Sequence, residues 1–193
     1  MTIPTQHDRE HAKETLDYIR RTMESATSFT AVSGWGLVAV GFVGLVAAWL
    51  ARSGGHDADL RIWLPTAFVS VVIASISNVA KARRTNVPIW SGAIRRSVWV
   101  IAPALAAGGV LTLALARDGA THLLPGMWLA LYGAGVTAGA EFSIRAIRWM
   151  GISFLLLGAV GLLRPDWGLP LLAAGFGGLH LVIGINIVVR HGG

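Results

Sequence analysis

The chain contains no cysteine. Disulfides, thiolate nucleophiles and Cys-ligated metals are therefore excluded. Charge is also scarce. Asp, Glu, Lys and Arg make up 13% of the 193 residues, against about 25% in an ordinary soluble domain. No nucleophile–base pair, carboxylate pair or phosphate-binding loop stands out, so the chain does not read as an enzyme and implies no cofactor or metal. What is abundant is apolar: 54% of residues are hydrophobic, and the mean hydropathy is +0.61. A chain with so little polar surface to offer water belongs in a membrane. Its 24 glycines then point to close helix packing rather than loops, because small residues let backbones approach.

Six apolar stretches divide the chain, at about 32–50, 62–80, 98–116, 123–140, 149–163 and 167–189. A helix needs about 20 apolar residues to cross the hydrocarbon, with a range near 17–25. The fifth stretch is expected to be short unless Ile144, Ala146 and Ile147 extend it. The formal charge of +6 follows these segments, so it reads as topology and not as nucleic-acid binding. Arg9, Lys13, Arg20, Arg21, Lys81, Arg83, Arg84, Arg95, Arg96, Arg145, Arg148 and Arg190 fall on one side. Arg52, Arg61, Arg117 and Arg164 fall on the other, balanced by Asp57, Asp59, Asp118 and Asp166. The basic side is the cytoplasmic one. The expectation is an all-α, polytopic bundle of six transmembrane helices in a bacterial inner membrane, with both termini cytoplasmic. Trp35, Trp49, Trp63, Trp99, Trp128, Trp149 and Trp167 lie near span ends, where indole rings anchor at the interface.

The first 31 residues carry both signs of charge and lack the apolar core of a signal peptide. Residues 5–29 read as an amphipathic cytoplasmic helix, with Ala12, Leu16, Ile19, Met23 and Ala26 on one face. Thr5 and Asp8 have the spacing of an N-terminal cap. The division is thus a cytoplasmic helix over 1–31 and a membrane domain over 32–193. The helix lies on the membrane surface or docks a protein partner.

Three constellations invite a chemical reading. His7-Asp8-Arg9-Glu10-His11 matches the H-x-x-E-H order of one metallopeptidase class, but no third ligand or cleft accompanies it, and we assign no metal site. His180 lies near the middle of the sixth stretch, and no other titratable side chain is expected so deep. A polar group there faces the bundle interior or a cavity. It is either a ligand or proton-pathway group or one half of an interhelical hydrogen bond. Glu141 and Arg145 have the four-residue spacing of an ion pair on one helix face, able to gate an entrance, bind a headgroup or end the helix. Asn78 and Asn186 are end-of-span groups available for interhelical hydrogen bonds. Gly135 and Gly139 form a G-x-x-x-G, Gly151, Gly158 and Gly161 mark the fifth stretch, and Gly175, Gly177, Gly178 and Gly184 the sixth. These predict a tight core of the last three spans, and they are also the surface through which a homo-oligomer would form. A Gly-Phe-x-Gly-Leu string occurs twice, at 41–45 and 175–179.

The segments Leu124-Pro125-Gly126-Met127-Trp128, Leu131-Tyr132-Gly133-Ala134-Gly135 and Phe142-Ser143-Ile144-Arg145 carry a resemblance. So do Ala173-Ala174-Gly175-Phe176-Gly177-Gly178-Leu179-His180, Arg190-His191-Gly192-Gly193, Phe29-Thr30-Ala31-Val32 and Gly34-Trp35-Gly36. Together they resemble a family of small uncharacterised bacterial membrane proteins, which implies a six-span inner-membrane protein without an assigned activity. Glu141 departs from the small residue expected at its position. The architecture is also similar to that of acid-resistance membrane proteins of the HdeD type. The function expected is that of a non-enzymatic accessory, regulatory or stress-related membrane subunit. The alternative is a small-molecule or proton-linked transporter or channel with His180 in its pathway.

Overall fold

The computed structural model describes residues 10–19, 32–54, 60–84, 92–140 and 143–191. Among these residues every regular element is helical. Residues 10–19 form α1, exposed along its whole length. The remainder of the 5–29 segment, including His7, lies outside the described residues. The helices that follow are α2 (Gly34–Gly54), α3 (Leu60–Arg84), α4 (Gly92–Arg117), α5 (Leu124–Gly139) and α6 (Arg145–Leu163). The last rod is continuous but changes pitch. It runs through α7 (Gly168–Leu172), a π-helical segment (Ala173–Leu179) and α8 (His180–His191).

Among the described residues, five segments are long and apolar enough to cross a membrane: Gly34–Ser53, Leu60–Arg84, Val98–Arg117, Arg145–Leu163 and Pro165–Arg190. The fifth span reaches full length because Ala146 and Ile147 extend it. That helix starts at Arg145 and has 19 residues. The short one is α5, with 16, or about 24 Å at 1.5 Å per residue. Hydropathy misplaced the boundary because Arg145 and Arg148 occupy the first turn of α6. Both are exposed, so their charge does not stop the backbone from continuing as helix, and long basic stems lie along apolar surface with the head outside.

Two antiparallel pairs make the core. In the first, α5 and α6 touch through small residues. A Cβ on Gly133 would sit 2.5 Å from the Leu155 nitrogen, and one on Gly126 would sit 2.5 Å from the Leu162 nitrogen. A Cβ on Gly158 would run into the backbone of Ala130, and one on Gly151 into Thr137. The working stripe of α5 is therefore Gly126, Ala130, Gly133 and Thr137. Of the expected G-x-x-x-G, Gly135 faces α4 instead, where an added Cβ would sit 3.3 Å from Ala104 Cβ.

In the second pair, α2 packs against the last rod. Gly34 meets Gly184 and Val188, Gly41 meets Gly177 and Leu181, and Gly44 meets Phe176. The two Gly-Phe-x-Gly-Leu strings thus face one another across this contact. The pairs join at a cluster of Leu129, Met150, Phe154, Leu171 and Leu172. α4 leans on α5, and α3 on α2. The α2–α3 contact is pinned at one end of the bundle. Ser33 caps α2 by accepting from the Gly36 N–H at 3.2 Å. The Ser33 N–H donates to Asn78 Oδ1 at 2.9 Å, and Lys81 Nζ donates to the Val32 carbonyl at 3.1 Å. Asn78 is thus an interhelical hydrogen-bonding group. From Leu60 to Ala80, α3 has no buried residue. The outer surfaces carry Phe42, Phe68, Val72, Ile76, Val110, Leu156 and Val182, all exposed. An apolar belt of this extent suits lipid, not water.

Candidate functional site

His180 is the first residue of α8, directly after the π-helical segment, and it is 2% exposed. π-Helical turns are rare, and they are frequently found at functional sites. Gly175, Gly177 and Gly178 lie in this one, and the glycines let neighbours close in. A Cβ on Gly175 would strike Leu129 and Phe154, and one on Gly177 would strike Leu45.

Both ring nitrogens of His180 have partners. Nε2 lies 3.0 Å from Tyr132 Oη on α5, and Nδ1 lies 3.4 Å from the Gly175 carbonyl. A carbonyl only accepts, so Nδ1 carries a hydrogen. In the neutral ring Nε2 then accepts, and the Tyr132 hydroxyl is its donor. The expectation that no other titratable group lies so deep is corrected. Tyr132 sits at the same depth, in mid-helix of an apolar run. Its aromatic character masked the one polar atom that His180 needs.

Around this pair the rings interlock. Tyr132 meets Phe154 edge-on with centroids 4.8 Å apart and Phe176 at 5.2 Å. His180 meets Phe154 edge-on at 5.5 Å and stacks over Phe176 at 6.1 Å. Such contacts add about 0.5–1.5 kcal/mol each beyond area burial.

The pair forms the floor of a cleft of about 290 Å³. Leu60, Trp63, Leu64, Ala67, Ser70 and Ala74 of α3 form one wall. Leu105 of α4 with Trp128 and Tyr132 of α5 forms the other, and Leu37, Val40 and Phe176 close the back. Among the described residues no charged side chain lines it. The cleft exists because α3 and α4, although consecutive, pack on different partners and not along each other. Its polar groups are mostly occupied. Trp128 Nε1 donates to Thr112 Oγ1 at 3.0 Å, and the Thr66 hydroxyl donates to the Ile62 carbonyl at 2.7 Å. Among the described residues, Trp63 Nε1 is a buried N–H with no acceptor.

The other residues singled out in the sequence do not join this site. Arg145 is exposed at the start of α6, at the opposite end of the bundle from the mouth of the cleft. Asn186 is half-buried on α8, six residues past His180 and on a different helix face. Glu141 lies outside the described residues. Among the described residues there is no cluster of three or more His, Asp or Glu side chains placed to hold a metal ion.

No family model matches the chain, and no curated protein or solved structure does.

The Tyr132–His180 bond links α5 to α8, and its strength is measurable. Tyr132→Phe leaves His180 Nε2 without its partner and His180→Leu leaves the Tyr132 hydroxyl without its own, while the Gly175 contact is lost in the single and double His180 variants alike and cancels in the cycle. A double-mutant cycle on unfolding in detergent should give a coupling of about 0.6–1.7 kcal/mol, the range for interhelical hydrogen bonds in membranes. Additive losses would mean the bond contributes nothing.

Proposed function

We propose that the chain is a non-enzymatic integral protein of a bacterial inner membrane that hosts an apolar guest drawn from the bilayer into the α3–α4 cleft. It crosses the membrane six times with both termini in the cytoplasm. The observation that carries the reading is the uncharged, half-open cleft of about 290 Å³ between two helices whose outer faces are apolar. Ligand sites run from about 300 to 1,000 Å³ and are mostly apolar with a few placed polar groups. This one is at the small end and opens toward lipid, so its guest arrives sideways.

The six-span topology is supported by the alternation of Lys and Arg, which five spans would break. It is also supported by the packing of α5 along α6. A 16-residue span is accommodated by local thinning of the bilayer or by snorkelling residues at its ends. The exposed Leu16 and Ile19 of α1 leave an apolar stripe for the membrane surface or for a partner subunit, consistent with an accessory or regulatory role. The rival reading, a proton-linked transporter with His180 in its path, draws support from the position of His180 on the cleft floor. The apolar lining and the engagement of both imidazole nitrogens weigh against it.

Topology is testable directly, because the chain is free of cysteine. A Trp90→Cys variant in intact cells should resist a membrane-impermeant maleimide until the cells are opened. Immediate labelling from outside would contradict the orientation. For the cleft, a hydrocarbon photolabel in nanodiscs should mark Leu64 and Trp128, and Ala67→Trp, which fills the cleft, should remove those marks. Labelling confined to the outward residues Phe42 and Val182 would refute the guest-hosting role.

A further inference from the structure

We infer that the guest is a slim, neutral, single-chain amphiphile whose carbonyl or ether oxygen accepts a hydrogen bond from the indole N–H of Trp63. The inference rests on the guest-hosting reading above and adds the chemistry of the guest. Three observations carry it.

The first is the orphan donor. A buried N–H without an acceptor is costly, and natural structures seldom leave one. Trp63 packs against the core cluster while lining the cleft. Its ring is thus held by apolar contacts with the polar atom unanswered. The neighbouring donors Trp128 Nε1, Tyr132 Oη and Thr66 Oγ1 are all engaged within the protein. A guest acceptor completes Trp63 without displacing any of these bonds.

The second is shape. Trp63 is in the first turn of α3, while Ala74 and His180 lie at the far end of the cleft. The lining from Leu60 to Ala74 spans about 20 Å of helix. A volume of about 290 Å³ spread over that length suits one extended chain and not a diacyl lipid. The oxygen would sit at the Trp63 end, near the interface, with the tail reaching toward Tyr132 and Phe176.

The third is charge. With no Lys, Arg, Asp or Glu among the described residues of the lining, an ionised headgroup would find no partner there, which is strongly disfavoured. Nε1 itself has almost no exposed surface. A small turn of the Trp63 ring exposes it, and α3, with no buried residue before Lys81, is the helix best able to allow that.

The test uses two medium-chain diazirine probes in phospholipid nanodiscs, a methyl ketone and its alkane counterpart, with the full-length protein. Mapping of labelled peptides should show the ketone marking Leu64, Ala67 and Trp128 roughly fivefold more than the alkane, the size expected for one net hydrogen bond. Trp63→Phe should bring ketone labelling down to the level of alkane labelling in the same variant, and a ketone preference that survives the substitution overturns the inference. Equal labelling by both probes in the unsubstituted protein overturns the inference but leaves the guest-hosting reading intact. Absence of cleft labelling by either probe overturns both. Should Trp63→Phe fail to fold, the ¹⁵N-indole resonance of Trp63 in the unsubstituted protein decides the matter. It should move with the ketone and not with the alkane, and an identical response to both contradicts the inference.

Discussion

Replacing Gly158 by Leu is expected to prevent the protein from accumulating in folded form, whereas Gly109→Leu is expected to be nearly neutral. The contrast isolates packing from composition. Both are glycines within apolar helices. At Gly158 even a Cβ would run into the backbone of Ala130, with the Ala130 Cβ 2.8 Å away. Backbone atoms cannot rotate aside as a flexible side chain can, so α5 and α6 must separate. Overpacking costs about 1–3 kcal/mol in ordinary cores, and occasionally more. Here the loss should be at least about 3 kcal/mol, since the contact continues through Gly126, Gly133 and Gly151 along the same pair. At Gly109 nothing lies within 4 Å of the added carbon, and the new side chain meets lipid. Thermal unfolding of detergent-purified protein separates the cases. Similar midpoints for the two variants would mean that the α5–α6 contact is not what holds the bundle.

Phe154→Ala should cost about 3 kcal/mol and should also loosen the site. Phe154 is fully buried and touches Tyr132, Phe176 and His180 with its ring. Truncating a buried Phe costs about 3–5 kcal/mol. In a bilayer the separated helices remain in hydrocarbon, so part of the usual transfer gain is absent and the lower end applies. Without the ring, neither Tyr132 nor His180 is held from the α6 side, and the bond between them should weaken in step. Unfolding measurements on Phe154→Ala and Phe154→Leu give the stability change. A further Tyr132→Phe substitution in the Ala background should then cost less than in the original protein. An unchanged cost would show that the aromatic cluster does not position the pair.

The helical membrane architecture is legible in the sequence for a physical reason. Lipid offers no hydrogen bonds to an unsatisfied backbone, so long apolar runs become helices. The depth of His180 is legible for the same reason. The boundary of α6 is not, because Arg145 and Arg148 read as loop while their stems ride on the helix. The choice of glycines is only half legible. The G-x-x-x-G at Gly135–Gly139 is the conspicuous pattern, yet Gly126, Gly133, Gly151 and Gly158 make the closest contact with the partner helix. Which stripe of a uniformly apolar helix faces which neighbour is decided by tertiary packing. The cleft has no local signature at all. It arises where α3 and α4 fail to pack on each other. Tyr132, Trp63 and Phe176 acquire their meaning only once four helices surround the same space.

The most direct measurement is the identity of what the purified protein carries. The original chain and the Ala67→Trp variant would be extracted in mild detergent, matched for folding, and their bound small molecules compared by mass spectrometry. The expected result is a neutral single-chain molecule retained by the original protein, at close to one per chain, and missing from the variant. Identical extracts from the two, containing only bulk phospholipid, would contradict a guest in the cleft.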